Sequence, residues 1–264
     1  MIDNTRRLFF GFDVASPWPT TYPNGRLIDP ASRHLTLAFL GNVSFKKLED
    51  ILPTIPQVMK VGPVGMFNHC LFLPEKHPHV VSWNIDWFDE RTIQNFQEEL
   101  VEWLRHHQYP IEKRSFLSHV SVARAPFEQQ EWLQAFAPLP VIVQGFHLYE
   151  SVGNLTYNPV WSFFVEKPFE ELSHTADVAY LVKAESLSTL HLNAQLALAF
   201  TFPPFLKYIK EIPLKNSLDD IVIALNELIT QADCDGGCPL KAVSFHGDVE
   251  EKEGIFSWEM IVDV

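Results

Sequence analysis

One short pattern occurs twice in this chain and limits what it can fold into. It is His34-Leu35-Thr36-Leu37 and, 85 residues later, His119-Val120-Ser121-Val122. Alternation with a period of two is the signature of a half-buried β-strand, because residues i and i+2 share a face. Each copy therefore places an imidazole and a hydroxyl on one face. The opposite face carries Leu35 and Leu37, or Val120 and Val122, for a core. If the strands are neighbours, two imidazoles and two hydroxyls converge on one point.

The rest of the chain reads as mixed α and β. Arg7–Val14 and His34–Leu40 are apolar runs bounded by turn residues, and read as strands. Between them, Ser16 to Gly25 holds Pro17, Pro19 and Pro23, which deny ladder donors and predict a loop. Residues 89–108 predict an amphipathic helix, with Ile93, Phe96, Leu100 and Trp103 on one stripe and Asp89 and Glu90 at its positive end. A strand follows at Phe116–Ala123, a short helix at Gln130–Phe136, and strands near Val141–Tyr149 and Val160–Val165. Beyond Glu166-Lys167-Pro168 the pattern gives a strand at 178–183 and helices at about 188–200 and 218–231. Ser217 is the expected cap of the second helix. Strands at 241–245 and 256–262 complete the sequence.

Charge divides the chain at the same place. The net charge is −13, with 33 acidic and 20 basic residues. Residues 1–167 hold 17 acidic and 14 basic side chains; residues 168–264 hold 16 and 6, with no arginine. The asymmetry predicts two domains, 1–167 and 168–264, packed together because no flexible linker separates them. Such a charge disfavours broad nucleic-acid binding, although the first domain has room for a local phosphate site. No run approaches the ~20 apolar residues of a membrane span. No signal peptide is predicted either, because Gly11 and Asp13 cut short the apolar stretch after Arg6-Arg7. Cys70, Cys234 and Cys238 read as reduced thiols, so a cytoplasmic protein with no membrane partner is expected.

Two imidazoles with two hydroxyls suit phosphodiester chemistry. One histidine takes a proton from water, the other gives one to the leaving oxygen, and the hydroxyls donate to phosphate oxygens. Residues 1–167 resemble the 2H phosphoesterases, in particular the RNA 2′,3′-cyclic phosphodiesterases (the 2′-5′ RNA ligase family). The matching residues are Arg7-Leu8-Phe9-Phe10-Gly11-Phe12-Asp13, Pro30, His34 to Gly41, Phe116 to Arg124, and Leu148-Tyr149-Glu150-Ser151 with Tyr157. Ser118 departs from the family's usual Pro, Ser121 from its frequent Thr, and the proline-rich loop from its usual helix.

The resemblance implies an α+β fold of two lobes whose antiparallel sheets flank a cleft. It implies metal-independent hydrolysis of a 2′,3′-cyclic phosphate to a 2′-phosphate, with RNA carrying such ends as the partner. His34 is then expected to protonate the departing ribose oxygen and His119 to activate water, in an order the sequence leaves reversible. Thr36, Ser121 and Arg124 would hold the phosphate. Arg26 and Arg33 read mainly as solvated surface residues. A non-catalytic RNA-end binder, or a phosphodiesterase for small cyclic nucleotides or 2′-5′ linkages, are the alternatives.

In the second domain, Ser173-His174-Thr175-Ala176-Asp177 precedes one strand and Asp263-Val264 ends another. If these strands are adjacent, Asp177, Asp263 and the terminal carboxylate of Val264 meet. Carboxylates so placed repel unless a hard cation such as Ca²⁺ or Mg²⁺ neutralises them. Residues 168–264 resemble archease, a small acidic activator of the tRNA-splicing RNA ligase, through Leu172 to Val178, Thr189 to Leu198, Leu225 to Leu228, Lys241 to Gly247 and Ile261 to Val264. That resemblance implies a small α/β domain with these three residues as metal ligands, Lys241 and His246 nearby, and the ligase as partner. The segment 231–240 is shorter than the family's.

Overall fold

The computed structural model describes residues 5–111, 115–173, 177–209, 217–244 and 247–264. In chain order the first part has β1 (Thr5–Ala15), β2 (Arg26–Leu27), β3 (His34–Ser44), α1 (Phe45–Glu49), β4 (Val64–Leu73) and β5 (Val80–Trp87). It continues with α2 (Glu90–His106), β6 (His119–Arg124), α3 (Gln129–Ala135), β7 (Leu139–Gly153) and β8 (Thr156–Phe163). The second part has β9 (Phe169–Leu172), β10 (Val178–Ala184), α4 (Leu187–Thr201), α5 (Leu218–Gly236), β11 (Ala242–Val243), β12 (Glu250–Lys252) and β13 (Ile255–Asp263).

The first sheet is antiparallel and closes on itself. Its order β1-β3-β6-β5-β4-β7 returns to β1, because β7 also pairs with β1. β8 extends β7 and β2 caps β6. The ring has two narrow seams that divide it into two lobes. At the front, β3 meets β6 through one pair, Leu35↔Val120. At the back, β4 meets β7 from Val64↔Ile142 to Phe67↔Leu139. The expected mix of helices and antiparallel strands is thus present, but the two lobes share one closed, barrel-like sheet and do not have a separate sheet each.

Packing explains the elements. The stripe of α2 buries Ile93, Phe96 and Leu100 against the ring, where Phe96 stacks on Phe12 at 5.6 Å. Asp89 caps this helix by accepting from the Thr92 amide. Truncating a fully buried residue such as Leu100 to Ala would cost about 2–5 kcal/mol. At Gly11 the bulged β1 passes so close to β3 that an added Cβ would lie 2.7 Å from the Leu35 carbonyl oxygen, so no side chain fits there.

The proline-rich segment has no regular structure between Ser16 and Gly25, as expected, but it is packed. Trp18 lies 5.3 Å from Phe67, and Tyr22 lies 5.9 Å from Trp132. Together they enclose Arg33, whose guanidinium sits 4.4 Å over the Trp18 ring and donates to the Tyr22 hydroxyl and the Ile28 carbonyl. Arg33 is 1% exposed, so the expectation of a solvated arginine is corrected. A buried guanidinium persists here with two hydrogen bonds and with the rings of Trp18 and Tyr22 against it.

The second sheet runs β11-β13-β10-β9, antiparallel, with β12 on β13. Ser217 caps α5 through the Asp220 amide, as predicted. α4 is buried around nearly its whole circumference, from Leu190 to Ala199. A helix buried on all sides needs cover on all sides. The second sheet covers one side and the ring supplies more, as Val64 and Ile142 join the same core.

Candidate active site

The front seam carries the site. Because Leu35 pairs with Val120, the strand period turns His34 and Thr36 of β3, and His119 and Ser121 of β6, to the same face of the sheet. All four line a cleft of about 1360 Å³, with Arg124 at the end of β6. The sequence expected these five residues to share one site, and the structure brings them together. The segment 16–25 does not line the cleft. One wall is formed instead by α2, through Gln97, Glu98, Val101, Glu102, Arg105 and His106.

The two histidines are held in the same way. His34 Nδ1 lies 2.8 Å from the Ser32 carbonyl, and His119 Nδ1 lies 2.8 Å from the Leu117 carbonyl. A carbonyl only accepts, so each Nδ1 carries a hydrogen and donates it. Each Nε2 is then the atom left for chemistry when the ring is neutral.

Their surroundings differ. His34 is ringed by aromatics from three strands: Phe9 at 4.7 Å, Tyr149 at 5.3 Å and Tyr157 edge-on at 4.6 Å. Burial pushes its pKa down to about 4, against the Ser32 carbonyl bond, and the nearby His119 and Arg124 add to the depression. His34 in this state is neutral near pH 7. His119 lies across from Asn84, and Ser121 across from Ser82, whose hydroxyl is 3.3 Å from that of Ser121. Behind His34, burial raises the Asp13 carboxyl, and burial together with Asp13 raises the Tyr149 phenol.

The remaining polar groups suit an anion. Arg124 Nε is buried with no hydrogen-bond partner among the described residues, in a side chain that lines the cleft. A buried donor left open in this way is costly unless a ligand completes it. Arg26, its cross-strand neighbour, instead donates to the Ala125 carbonyl. Ser118 is explained locally, since its hydroxyl accepts from Trp87 Nε1 at 2.8 Å.

No protein-family profile matches the chain. Over an alignment of 151 positions, which covers 54% of this chain and 79% of the relative, the chain is 26% identical to the RNA 2′,3′-cyclic phosphodiesterase of Thermotoga maritima. The chain is similar to that phosphodiesterase. The resemblance to 2H phosphoesterases is supported accordingly. Among solved structures, E. coli LigT complexed with 3′-AMP aligns at 21% identity and a TM-score of 0.47, over 61% of this chain and 99% of its own. A second structure, described as a phosphoesterase, aligns at 21% identity and 0.46, over 62% and 99%.

Several lining groups have no strong sequence signal. The ring around His34 is assembled from Phe9, Tyr149 and Tyr157, on three strands distant in the chain. β4 and β5 were not expected as strands, although their β-branched and aromatic residues between Pro63, Pro74 and Pro78 fit that pattern.

In the second sheet, Val178 pairs with Val262, so the register continued by one residue brings Asp177 opposite Asp263, with Val264 beyond it. Among the described residues no group of three or more His, Cys, Asp or Glu is disposed to hold a metal. The His174, Thr175 and Ala176 part of the first motif, and His246 of the later one, lie outside the described residues. Cys234 is exposed and Cys238 buried, both as free thiols. Among the described residues no helix is long and apolar enough to cross a membrane.

Proposed function

We propose that the chain hydrolyses 2′,3′-cyclic phosphate ends of RNA to 2′-phosphates without a metal. The observation that carries this is the Leu35↔Val120 pair, which sets both imidazole–hydroxyl pairs on one cleft. The likeness to the Thermotoga maritima enzyme supports it. A water oxygen attacks phosphorus as a histidine Nε2 takes its proton. The P–O3′ bond breaks, and the other histidine gives its proton to O3′. Thr36, Ser121 and Arg124 stabilise the charge on the non-bridging oxygens.

The order of the histidines is revised from the sequence-based expectation. Burial and three aromatic rings favour the neutral form of His34, which is the form of a base. His34 is therefore assigned to accept the water proton and His119 to protonate O3′. The test is incubation with an RNA oligonucleotide ending in a 2′,3′-cyclic phosphate, with the product end identified. A 2′-phosphate is expected, and intact cyclic ends would overturn the reading.

For the second part, the proposal is an archease-like unit that binds a divalent cation and activates an RNA ligase. The facing registers of Asp177 and Asp263 support it, since two adjacent carboxylates suit a hard ion such as Ca²⁺ or Mg²⁺. These two side chains would hold the ion, with Val264 as the neighbouring oxygen donor. Calorimetric titration with Ca²⁺ tests the ion. Guanylylation of a tRNA-splicing ligase with GTP, with and without the chain, tests the partner. Loss of heat in Asp177→Asn and Asp263→Asn is expected.

A further inference from the structure

The back seam of the ring is where the second part of the chain docks. Val64 and Ile142, paired with each other across that seam, are 5% and 2% exposed and belong to the core built around α4. Ala15 of β1 and Phe88, just after β5, pack against the same core. The core therefore grips both lobes, Ala15 and Ile142 on one side of the seam and Val64 and Phe88 on the other.

Polar contacts fix the approach to β4 in the same way. The Lys60 and Val61 amides both reach Glu185 Oε1, at 3.2 and 3.4 Å. Lys60 Nζ donates to the Glu253 carbonyl at 2.7 Å. The Gly62 amide donates to the Glu166 carbonyl, and the Glu166 amide to that of Lys60. At Gly62 the chain runs so close to β7 that a Cβ would lie 2.2 Å from the Val143 carbonyl oxygen.

The front seam has one residue pair, so its width is set by the angle between the lobes, and that angle is set at the back. We infer that the second part of the chain is a brace across the back seam and positions His34 relative to His119. Lys60, Glu185, Val64 and Ile142 are positioning residues that act through the lobes. This rests on the proposed hydrolysis for its kinetic consequence, while the geometric claim stands apart from it.

The experiment uses the full chain with Cys234→Ser and nitroxide labels at Glu131→Cys on α3 and Thr156→Cys on β8, both exposed, one on each lobe. Electron–electron resonance distances are compared with and without Glu185→Ala, an exposed position where folding is not at stake, and with Ile142→Val as a milder change in the core. The braced chain should give one narrow distance. Glu185→Ala should broaden it and lower kcat on a 2′,3′-cyclic nucleotide roughly tenfold, with KM changed less, because misplacing reacting groups weakens the reaction step rather than binding. Unchanged distances and unchanged kcat in both variants would overturn the brace. A chain that turns over no cyclic phosphate, yet broadens on Glu185→Ala, would overturn the proposed hydrolysis and leave the brace standing.

Discussion

The β3 and β6 halves of the cleft carry the same motif in different settings. His34 stands among Phe9, Tyr149 and Tyr157, while His119 faces Asn84 on the neighbouring β5. Both rings donate from Nδ1 to the carbonyl two residues earlier, so backbone geometry alone would make them equivalent. The difference lies in what the neighbouring strands contribute. The three aromatic rings desolvate His34 and favour its neutral form.

Replacing the histidines gives the largest test of that division. His34→Ala and His119→Ala should each lower kcat by roughly 10²–10⁴-fold, the usual weight of a general acid or base. Since both protons move in one displacement, the double variant should lose little more than either single one. Steady-state turnover of a cyclic-phosphate oligonucleotide measures this. A variant with wild-type turnover would remove that half of the cleft from the chemistry.

The hydroxyls come next. Thr36→Val and Ser121→Ala should each cost roughly 10²-fold in kcat, as loss of one donor to a developing anion does. Ser82→Ala removes the hydroxyl that meets Ser121 and should cost much less. If Ser82→Ala were as damaging as Ser121→Ala, the pair would be a structural bond and the phosphate contact would lie elsewhere.

The pH profile of kcat/KM sharpens the assignment further, because it reports the free enzyme. A base held near 4 stays neutral down to that pH, so the acidic limb should lie near pH 4 rather than near the ordinary histidine value of about 6.5. The sign is decisive. If His34 were the acid, it would have to be protonated, and kcat/KM would rise as the pH fell towards 4. Tyr157→Leu, which removes one ring, should move the limb upward.

Most of the site and the strands that carry it were legible in the sequence, because period-two alternation and His-x-Ser/Thr spacing are local. The four motif residues needed only one further fact, that β3 and β6 are neighbours, while Arg124 was implied by the family resemblance. What stayed hidden is produced by long-range pairing. The aromatic ring about His34 joins β1, β7 and β8, and the α2 wall is a helix whose exposed face reads as plain solvated surface. Arg33 shows the same limit from the other side. Its cage comes from Trp18 and Tyr22, in a segment whose prolines reveal only that it is no strand. The cover of α4 was hidden too, since its buried His191, Asn193 and Gln195 give no apolar stripe to read, and the ring supplies part of it.

The least severe test concerns stability rather than turnover. His34 has a folded pKa of about 4 and an unfolded one near 6.5, so between those values the unfolded chain binds a proton that the folded chain does not. Stability should therefore fall as the pH drops from about 6.5 and level off below about 4, with a total loss on the order of 3 kcal/mol from this group. Carboxylates contribute their own slope in acid, so the comparison must be made against His34→Asn, which keeps a polar side chain but does not titrate. The wild-type and variant urea midpoints should converge as the pH is lowered through that window. Parallel curves would mean that His34 is solvated after all, and the contrast between the two halves of the cleft would lose its physical cause.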